Sequence, residues 1–272
     1  MPDPNFAPEF KRDEHGWILF PRDQKERKSL FFPDEVMKHP AKMNFHLQQS
    51  IIEYVGKDGD TFMDIFGGTG TLMIAALQGY RVILLEVEDG YHKLQQEGKN
   101  NLNIQDPGAG DRVILIHGDN RLLLPIPVNH IVTSPPYAGA MNITHVRKQK
   151  EGAKDTWLVD QDRMMLEYSR SPRNISKLNT FMYNMEMKKL YDLCCQSLSI
   201  GGTLTTIVKD RIEKAQRVYL GNWAAKVMEG LGMELVTWEK WKTPGHGFTK
   251  IAASQGKEVV EDEDIIIYRR IK

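Results

Sequence analysis

The sequence predicts an α/β fold with a mostly parallel β-sheet that is covered by helices on both faces. Short apolar segments alternate with amphipathic segments along the chain, and glycines mark several of the junctions between them. Strands that alternate with helices run parallel, because each helix carries the chain back to the same end of the sheet. The last two strands follow each other without a helix between them, which indicates an antiparallel hairpin at one edge.

The individual elements are predicted from local patterns. Helices are assigned where apolar residues recur at three- and four-residue spacing, and strands where short apolar segments lie between turn residues. Asn222 is expected to cap the last helix, and Gly79 and Gly232 are expected to end the helices that precede them. The predicted helices are 44–55, 70–78, 91–101, 181–198 and 222–231, and the predicted strands are 61–66, 81–87, 112–116, 130–133, 203–208, 234–240 and 265–269.

Two segments lack this alternation. Residues 1–30 mix charged residues and prolines with little periodicity, which predicts an N-terminal arm ahead of a domain at 31–272. Residues 138–179 are polar without a sustained period, and structureless loops of this length are uncommon in compact domains unless they serve a function. We therefore expect a substrate-binding insertion there. Its modest surplus of basic residues suits contacts to phosphates, and a solvated loop is the alternative.

The composition is typical of a soluble globular protein. Of the 272 residues, 41% are hydrophobic and 26% are charged. No apolar segment has the length of a membrane span, no secretory signal is visible, and the only cysteines are Cys194 and Cys195, which together predict a reducing, cytoplasmic location. Two cysteines do not provide a structural zinc site, so no metal is expected. The net charge of zero argues against nonspecific coating of nucleic acid but permits a local basic face.

The first candidate site is a glycine-rich turn between the strand 61–66 and the helix that follows it. Glycines allow the chain to reverse tightly and a ligand to approach the backbone, and the helix N-terminus offers free N–H groups. The turn lacks the Lys-Ser/Thr ending of a phosphate-binding loop and a full G-x-G-x-x-G, which argues against ATP, GTP and dinucleotides. A tight turn without a ligand is the alternative. Its residues are Asp64, Ile65, Phe66, Gly67, Gly68, Thr69, Gly70 and Thr71.

Two carboxylates at the ends of the next strands fit a nucleoside. Glu86 lies near the end of the second strand, where a carboxylate accepts hydrogen bonds from both ribose hydroxyls. Glu88 and Asp89 are rivals for that role. Asp119 follows the third strand, where it is placed to accept from an adenine amino group, although an aspartate at such a position also commonly caps a helix.

The second candidate site is Ser134-Pro135-Pro136-Tyr137, directly after the fourth strand. The prolines fix the backbone and leave carbonyl acceptors without competing donors, which suits the holding of an amino group. Tyr137 offers an aromatic face on which a base stacks, and Ser134 offers a small hydroxyl. When fixed acceptors receive hydrogen bonds from the N–H groups of an aromatic amine, the electron density on its nitrogen rises. A rigid strand-to-loop turn is the alternative.

These motifs together resemble the amino-methyltransferases of DNA, which act on cytosine N4 or adenine N6. The glycine-rich turn is similar to the family's cofactor motif, and Ser134–Tyr137 is similar to its catalytic tetrapeptide. Residues 39–43, which read His-Pro-Ala-Lys-Met, are similar to a further cofactor-contacting segment. The resemblance covers about residues 32–269. It implies the Rossmann-like class I methyltransferase fold with a seven-stranded sheet, and S-adenosylmethionine as the cofactor.

The resemblance also implies roles for individual residues. Glu86 would hold the ribose of the cofactor and Asp119 its adenine, while the tetrapeptide would grip the target amine and its base. The implied cofactor-binding residues are Lys42, Asp64, Phe66, Gly67, Gly68, Thr69, Gly70, Thr71, Glu86 and Asp119, and the implied catalytic residues are Ser134, Pro135, Pro136 and Tyr137.

We therefore expect methylation of cytosine N4 in DNA by direct attack of a flipped base on the cofactor. Serine at the first position of the tetrapeptide, after Thr133, is more typical of the cytosine-N4 members. Adenine-N6 methylation, an RNA base as the substrate, and a binding module without turnover are the alternatives. A restriction endonuclease is a candidate partner. We expect a site-specific enzyme, but the chain leaves little room for target recognition, mainly 138–179 and the loop with Gly245-His246-Gly247. This indicates either low sequence specificity or an RNA substrate.

Overall fold

The structure, a computed structural model, is organised around one large β-sheet. It describes residues 5–38, 42–138, 170–213, 216–244 and 254–272. The strands are β1 (Thr61–Asp64), β2 (Arg81–Glu86), β3 (Val113–His117), β4 (Val128–Thr133), β5 (Leu198–Val208), β6 (Arg211–Glu213), β7 (Gln216–Val218), β8 (Glu234–Lys242) and β9 (Asp262–Arg269). The α-helices are α1 (Gln24–Ser29), α2 (Asp34–Lys38), α3 (Phe45–Val55), α4 (Ile74–Leu77), α5 (Asp89–Gln105), α6 (Asn120–Leu123), α7 (Thr180–Ser197) and α8 (Leu220–Gly230).

The large sheet has seven strands in the order β3-β2-β1-β4-β5-β9-β8. The first five of these strands are parallel, and β9 is antiparallel to both β5 and β8. This confirms the predicted class I methyltransferase fold with its antiparallel pair at one edge. The strand order reverses between β1 and β4, and ligands of open α/β sheets bind at the carboxyl ends of the strands at such a point. The glycine-rich turn and the tetrapeptide leave these two strands there.

Helices cover both faces of the sheet. Alternate residues of a strand point to opposite faces, so each strand contributes to two apolar clusters. Ile265 and Ile267 of β9 pack in the cluster that includes the apolar face of α3. Ile266 and Tyr268 pack in the cluster beneath α7 and α8.

The described part of the first thirty residues differs from the expected arm. Phe6, Ile18 and Phe20 are buried in the same cluster as α3. The backbone of Ile18 also extends the sheet, because its N–H donates to Lys240 O (2.8 Å) and its carbonyl accepts from Lys242 N–H (2.9 Å). These apolar residues are spaced irregularly among charged ones. The sequence therefore has no periodic pattern that would predict their packing along the edge strand β8.

The start of α8 also differs from the sequence prediction. Asn222 was expected to be its N-cap, but the helix begins at Leu220 after Tyr219, which makes no side-chain cap. The Leu220 N–H is bound instead by Asp210 Oδ1 (2.8 Å), a carboxylate from the loop after β5. A cap supplied from outside the helix leaves no local sequence signal. By contrast, Asn44 caps α3 as the helix predicted at 44–55 requires.

Ile18→Ala tests whether residues 5–30 belong to the core. Because Ile18 is fully buried, the substitution is expected to lower the free energy of unfolding by about 2–5 kcal/mol. Leu19→Ala is the matched control, since Leu19 is 38% exposed, and it should change stability by less than about 1 kcal/mol. Urea denaturation measures both. Equal, small effects would show that this segment is a separate arm.

Candidate active site

The glycine-rich turn lies at the carboxyl end of β1 and opens into a short 3-10 helix, Thr71–Met73, that continues into α4. Gly70 has a positive φ of 78°, and a Cβ at this position would lie 2.6 Å from Met73 Cε. Gly68 also has a positive φ, 47°, but a Cβ there would have only Phe66 O nearby, at 3.6 Å. Packing therefore requires the glycine at position 70, whereas a Cβ at Gly68 would lie in open space.

Glu86 is buried beside this open space. Its Oε2 accepts from Gly68 N–H (2.7 Å), and its Oε1 accepts from Val87 N–H and Glu88 N–H (both 2.8 Å). Burial raises the pKa of its carboxyl to about 7, although these three backbone donors lower it. The arrangement places a carboxylate against the glycine turn, where the ribose of a nucleoside would meet it.

The two rivals of Glu86 have other roles. Glu88 is buried, and its carboxylate accepts from Ser171 N–H and Asn174 Nδ2–H (both 2.8 Å). It therefore anchors the described C-terminal part of the predicted insertion. Asp89 is exposed and lies 3.2 Å from His117 Nε2.

Asp119 is occupied by its own helix and by Arg121. It caps α6 by accepting from Arg121 N–H (3.1 Å), and its two oxygens accept from Arg121 Nε (2.9 Å) and Nη2 (2.7 Å). Burial alone would raise the pKa of Asp119, but these bonds lower it. The helix-cap role that the sequence left open is therefore realised in the structure. A contact between Asp119 and adenine stays a prediction.

A cavity of about 610 Å³ opens between the ends of β2 and β3. It is bordered by Val87 and Gly118, which follow these strands, and by residues 170–173 on the outer side. Glu88 and Asp89 also line it, whereas Glu86 and Asp119 are chain neighbours of its lining residues. This position suits the adenine half of a nucleoside. The hydrogen bond from Ser171 N–H to the Glu88 carboxylate fixes the outer wall of the cavity.

A buried hydrogen bond joins the two candidate sites. Thr133, the last residue of β4, donates from Oγ1 to Asp64 Oδ1 (2.7 Å), which also accepts from Phe66 N–H (2.9 Å). Burial raises the pKa of Asp64 to about 6. Asn120, at the start of α6, donates from Nδ2 to Ile65 O (2.8 Å) and so fixes the turn from a neighbouring loop. Asp64 therefore positions the turn from beneath it, and the partner role of Thr133 was not foreseen from the sequence.

The tetrapeptide leaves β4 beside this hydrogen bond. Pro135 is buried, while Ser134, Pro136 and Tyr137 are partly exposed. Tyr137 Oη accepts a hydrogen bond from the backbone N–H of Lys209 (3.0 Å), the residue after β5. Burial and the nearby carboxylate of Glu263 raise the pKa of Tyr137 well above its usual value, so its hydroxyl stays protonated. The ring is thus fixed between the ends of β4 and β5.

Arg27 is a functional candidate that the sequence analysis missed, because it lies within the segment expected to be an arm. Its fully buried guanidinium binds Asp23 Oδ2 (2.7 Å), Thr71 Oγ1 (3.2 Å) and the carbonyl of Met43. Burial and the charge of Arg27 both lower the pKa of Lys42. Arg27 therefore contacts Thr71 at the start of the turn helix and lies within electrostatic range of Lys42, and a cofactor contact of Lys42 or Thr71 stays a prediction.

Some predicted features lie outside the described residues. These are 39–41, the first three residues of the segment 39–43 that resembles a cofactor-contacting segment, 139–169, which make up most of the predicted insertion, and 245–253, which include Gly245, His246 and Gly247. Among the described residues, no group of three or more His, Cys, Asp or Glu side chains is placed to hold a metal ion. None of the described helices is long and apolar enough to cross a membrane.

A second cavity, of about 680 Å³, lies at the opposite end of the sheet. Its most reactive side chain, His130, is bound on both ring nitrogens, by Asp60 Oδ2 and Thr203 Oγ1 (both 2.8 Å). Burial lowers the pKa of His130. The histidine thus holds the starts of three neighbouring strands together, and this cavity is far from the carboxyl edge.

Comparison with known proteins agrees with this geometry. The family described as DNA methylase matches residues 8–97, a stretch that includes the N-terminal segment, the glycine turn and Glu86. No curated protein sequence matches the chain significantly. The family match, together with the fold, supports S-adenosylmethionine as the cofactor and methyl transfer as the activity.

Two solved structures share the fold. A precorrin 8w decarboxylase from Methanobacterium thermoautotrophicum is 14% identical, with 92% of this chain and 99% of that chain covered and a TM-score of 0.50. An S-adenosylmethionine-dependent O-methyltransferase from Thermotoga maritima is 13% identical, with 88% of this chain and 71% of that chain covered and a TM-score of 0.50. Similarity at this level shows the common fold.

Gly68→Asp tests the cofactor space. A side chain at Gly68 points into the open volume beside the Glu86 carboxylate, so both bulk and charge repulsion are expected to weaken S-adenosylmethionine binding at least about 100-fold. Gly79→Asp is the matched control, because Gly79 also has a positive φ (91°) and no atom near its Cβ position. Both variants bear a similar backbone cost of about 1–2 kcal/mol. Calorimetry that finds equal affinities for the two variants would contradict the site.

Glu86 makes cofactor affinity depend on pH. With a pKa raised to about 7, its carboxyl gains a proton as the pH falls, and the neutral form is a weaker acceptor for ribose hydroxyls. The dissociation constant for S-adenosylmethionine is therefore expected to rise between about pH 8 and pH 6, by at most about tenfold per unit. Glu86→Gln should flatten this dependence. A wild-type affinity that is constant over this range would refute the assignment of Glu86.

Proposed function

We propose that this protein is an S-adenosylmethionine-dependent methyltransferase that modifies an exocyclic amino nitrogen of a base in DNA, with cytosine N4 as the first choice. The observation that carries the proposal is the hydrogen bond from Thr133 to Asp64 (2.7 Å). It couples the glycine turn, which suits the cofactor, to the tetrapeptide, which suits an aromatic amine.

The residues of the chain fit this chemistry. Bound S-adenosylmethionine supplies an electrophilic methyl group. Ser134 Oγ and the proline carbonyls offer acceptors for an N–H of the target amine, and such a hydrogen bond counteracts delocalisation of its lone pair into the ring. Tyr137, fixed by Lys209 N–H, stacks on the base. Rate acceleration then comes from positioning and from dipoles that are already oriented.

The choice of substrate rests on the tetrapeptide and the family match. The match to DNA methylases supports DNA, and a base must leave the duplex to reach a tetrapeptide at the edge of the sheet. Serine after Thr133 favours cytosine N4, while adenine N6 uses the same chemistry and is the second candidate. RNA is the third. A restriction endonuclease partner and a cytoplasmic location belong to the same proposal and rest on the resemblance.

The direct experiment is to incubate the protein with isotopically labelled S-adenosylmethionine and either unmethylated genomic DNA or total RNA. The nucleic acid is digested to nucleosides, and the labelled one is identified by mass. N4-methyldeoxycytidine is the expected product. N6-methyldeoxyadenosine would assign the second candidate, a labelled ribonucleoside the third, and no label in either polymer would refute the proposal.

Substitutions in the tetrapeptide test its role. Ser134→Ala removes an acceptor for the amine and is expected to lower kcat by about 100-fold or more. Tyr137→Ala removes the stacking ring, worth about 1–3 kcal/mol, and should raise KM for DNA accordingly. Tyr137→Phe keeps the ring but loses the hydrogen bond from Lys209 N–H, so its effect should lie between those of wild type and Tyr137→Ala. Unchanged turnover in both alanine variants, with native circular dichroism, would rule out this site.

A further inference from the structure

A carboxylate that the proposed mechanism does not use lies at the same edge of the sheet as the tetrapeptide. Glu263 is the second residue of β9, which begins at the edge where β4, β5 and β8 end. The register pairs Val208 with Asp264, which places Glu263 next to Lys209. The backbone N–H of Lys209 is the group that holds Tyr137 Oη (3.0 Å).

The direction of the Glu263 side chain follows from its neighbours. Asp264 faces α8, because its Oδ1 accepts from Trp238 Nε1 (2.8 Å) and its Oδ2 would touch a Cβ at Gly221. Glu263 alternates to the other face, where Trp241 Nε1 donates to its Oε2 (3.1 Å). This is the face of the sheet that α3 covers.

Among the described residues, only one carboxylate oxygen of Glu263 receives a hydrogen bond. Glu263 is partly exposed, and no described donor is bound to Oε1. The Lys209 ammonium lies nearby but is bound to Thr243 Oγ1 (2.9 Å) rather than to the carboxylate. Burial raises the pKa of Glu263, and its charge in turn raises the pKa of Tyr137, which agrees with their proximity.

We propose that Glu263 is a substrate-recognising residue that accepts, through Oε1, one of the two hydrogen bonds that the amino group of the base stacked on Tyr137 donates, while the tetrapeptide accepts the other. This assignment rests on the proposed function and adds to it a basis for base selection. Cytosine and adenine both present an amino donor on the Watson–Crick edge. A keto base presents an acceptor there, which would face the carboxylate oxygen without a proton between them.

The test compares the full-length wild type with Glu263→Gln and Glu258→Gln. The amide introduced by Glu263→Gln has nearly the same size as the carboxylate and keeps one oxygen for Trp241 Nε1, but it turns the pocket-facing acceptor into a donor. Glu258 is exposed in the same β8–β9 connection, so Glu258→Gln removes an equal charge away from the pocket. The probes are unmethylated genomic DNA and labelled S-adenosylmethionine.

Glu263→Gln is expected to raise KM for DNA by roughly 10- to 100-fold, with the dissociation constant for S-adenosylmethionine and the melting temperature unchanged. Glu258→Gln should match wild type. A second readout uses oligonucleotides in which the methylated base is replaced by its keto counterpart, uracil for cytosine or hypoxanthine for adenine. Wild type should bind the amino form more tightly, and Glu263→Gln should lose this preference.

The outcomes separate the two proposals. Normal KM and an intact amino-over-keto preference in Glu263→Gln, with an active wild type, would overturn the role of Glu263 alone. Loss of cofactor affinity or early melting in Glu263→Gln would assign it a structural role instead. A wild type that methylates neither DNA nor RNA would overturn the proposed function, and the role of Glu263 with it.

Discussion

One buried hydrogen bond, from the Thr133 hydroxyl to the Asp64 carboxylate, fixes the relative position of two loops at the carboxyl edge of the sheet. Hydrogen bonds to a charged group contribute about 1.5–3 kcal/mol, and an unpaired buried carboxylate is costly. Asp64 also fixes the first N–H of the glycine turn, at Phe66. One side chain thus links the glycine turn, which we propose holds the methyl donor, to the start of the tetrapeptide, which we propose holds the amine.

Local patterns were sufficient to predict the parts of the site that depend on the backbone. The glycine turn and the tetrapeptide follow directly from strands whose apolar residues are visible in the sequence. The lengths and order of these elements then place both loops at the point where the strand order reverses. Glu86 was also predictable, because its position at the end of β2 fixes its distance from Gly68.

The contacts that the sequence could not predict join residues that are distant along the chain. Arg27 reaches Thr71, Lys209 reaches Tyr137, and Glu263 reaches this same edge only because β9 is inserted between β5 and β8. Such pairings depend on tertiary packing and leave no periodic signal. Asp119 lies after β3 as predicted, but its hydrogen bonds to the Arg121 side chain were not anticipated.

The anchoring of Ser171 and Asn174 on Glu88 has a thermodynamic consequence. Residues 170–173 border the cavity at the ends of β2 and β3, and Glu88 fixes this border through Ser171. A nucleic acid that contacts these residues and a nucleoside in the cavity, as the proposed function requires, would act on the same wall. Any coupling between them is reciprocal: the factor by which the nucleoside tightens polymer binding equals the factor by which the polymer tightens nucleoside binding.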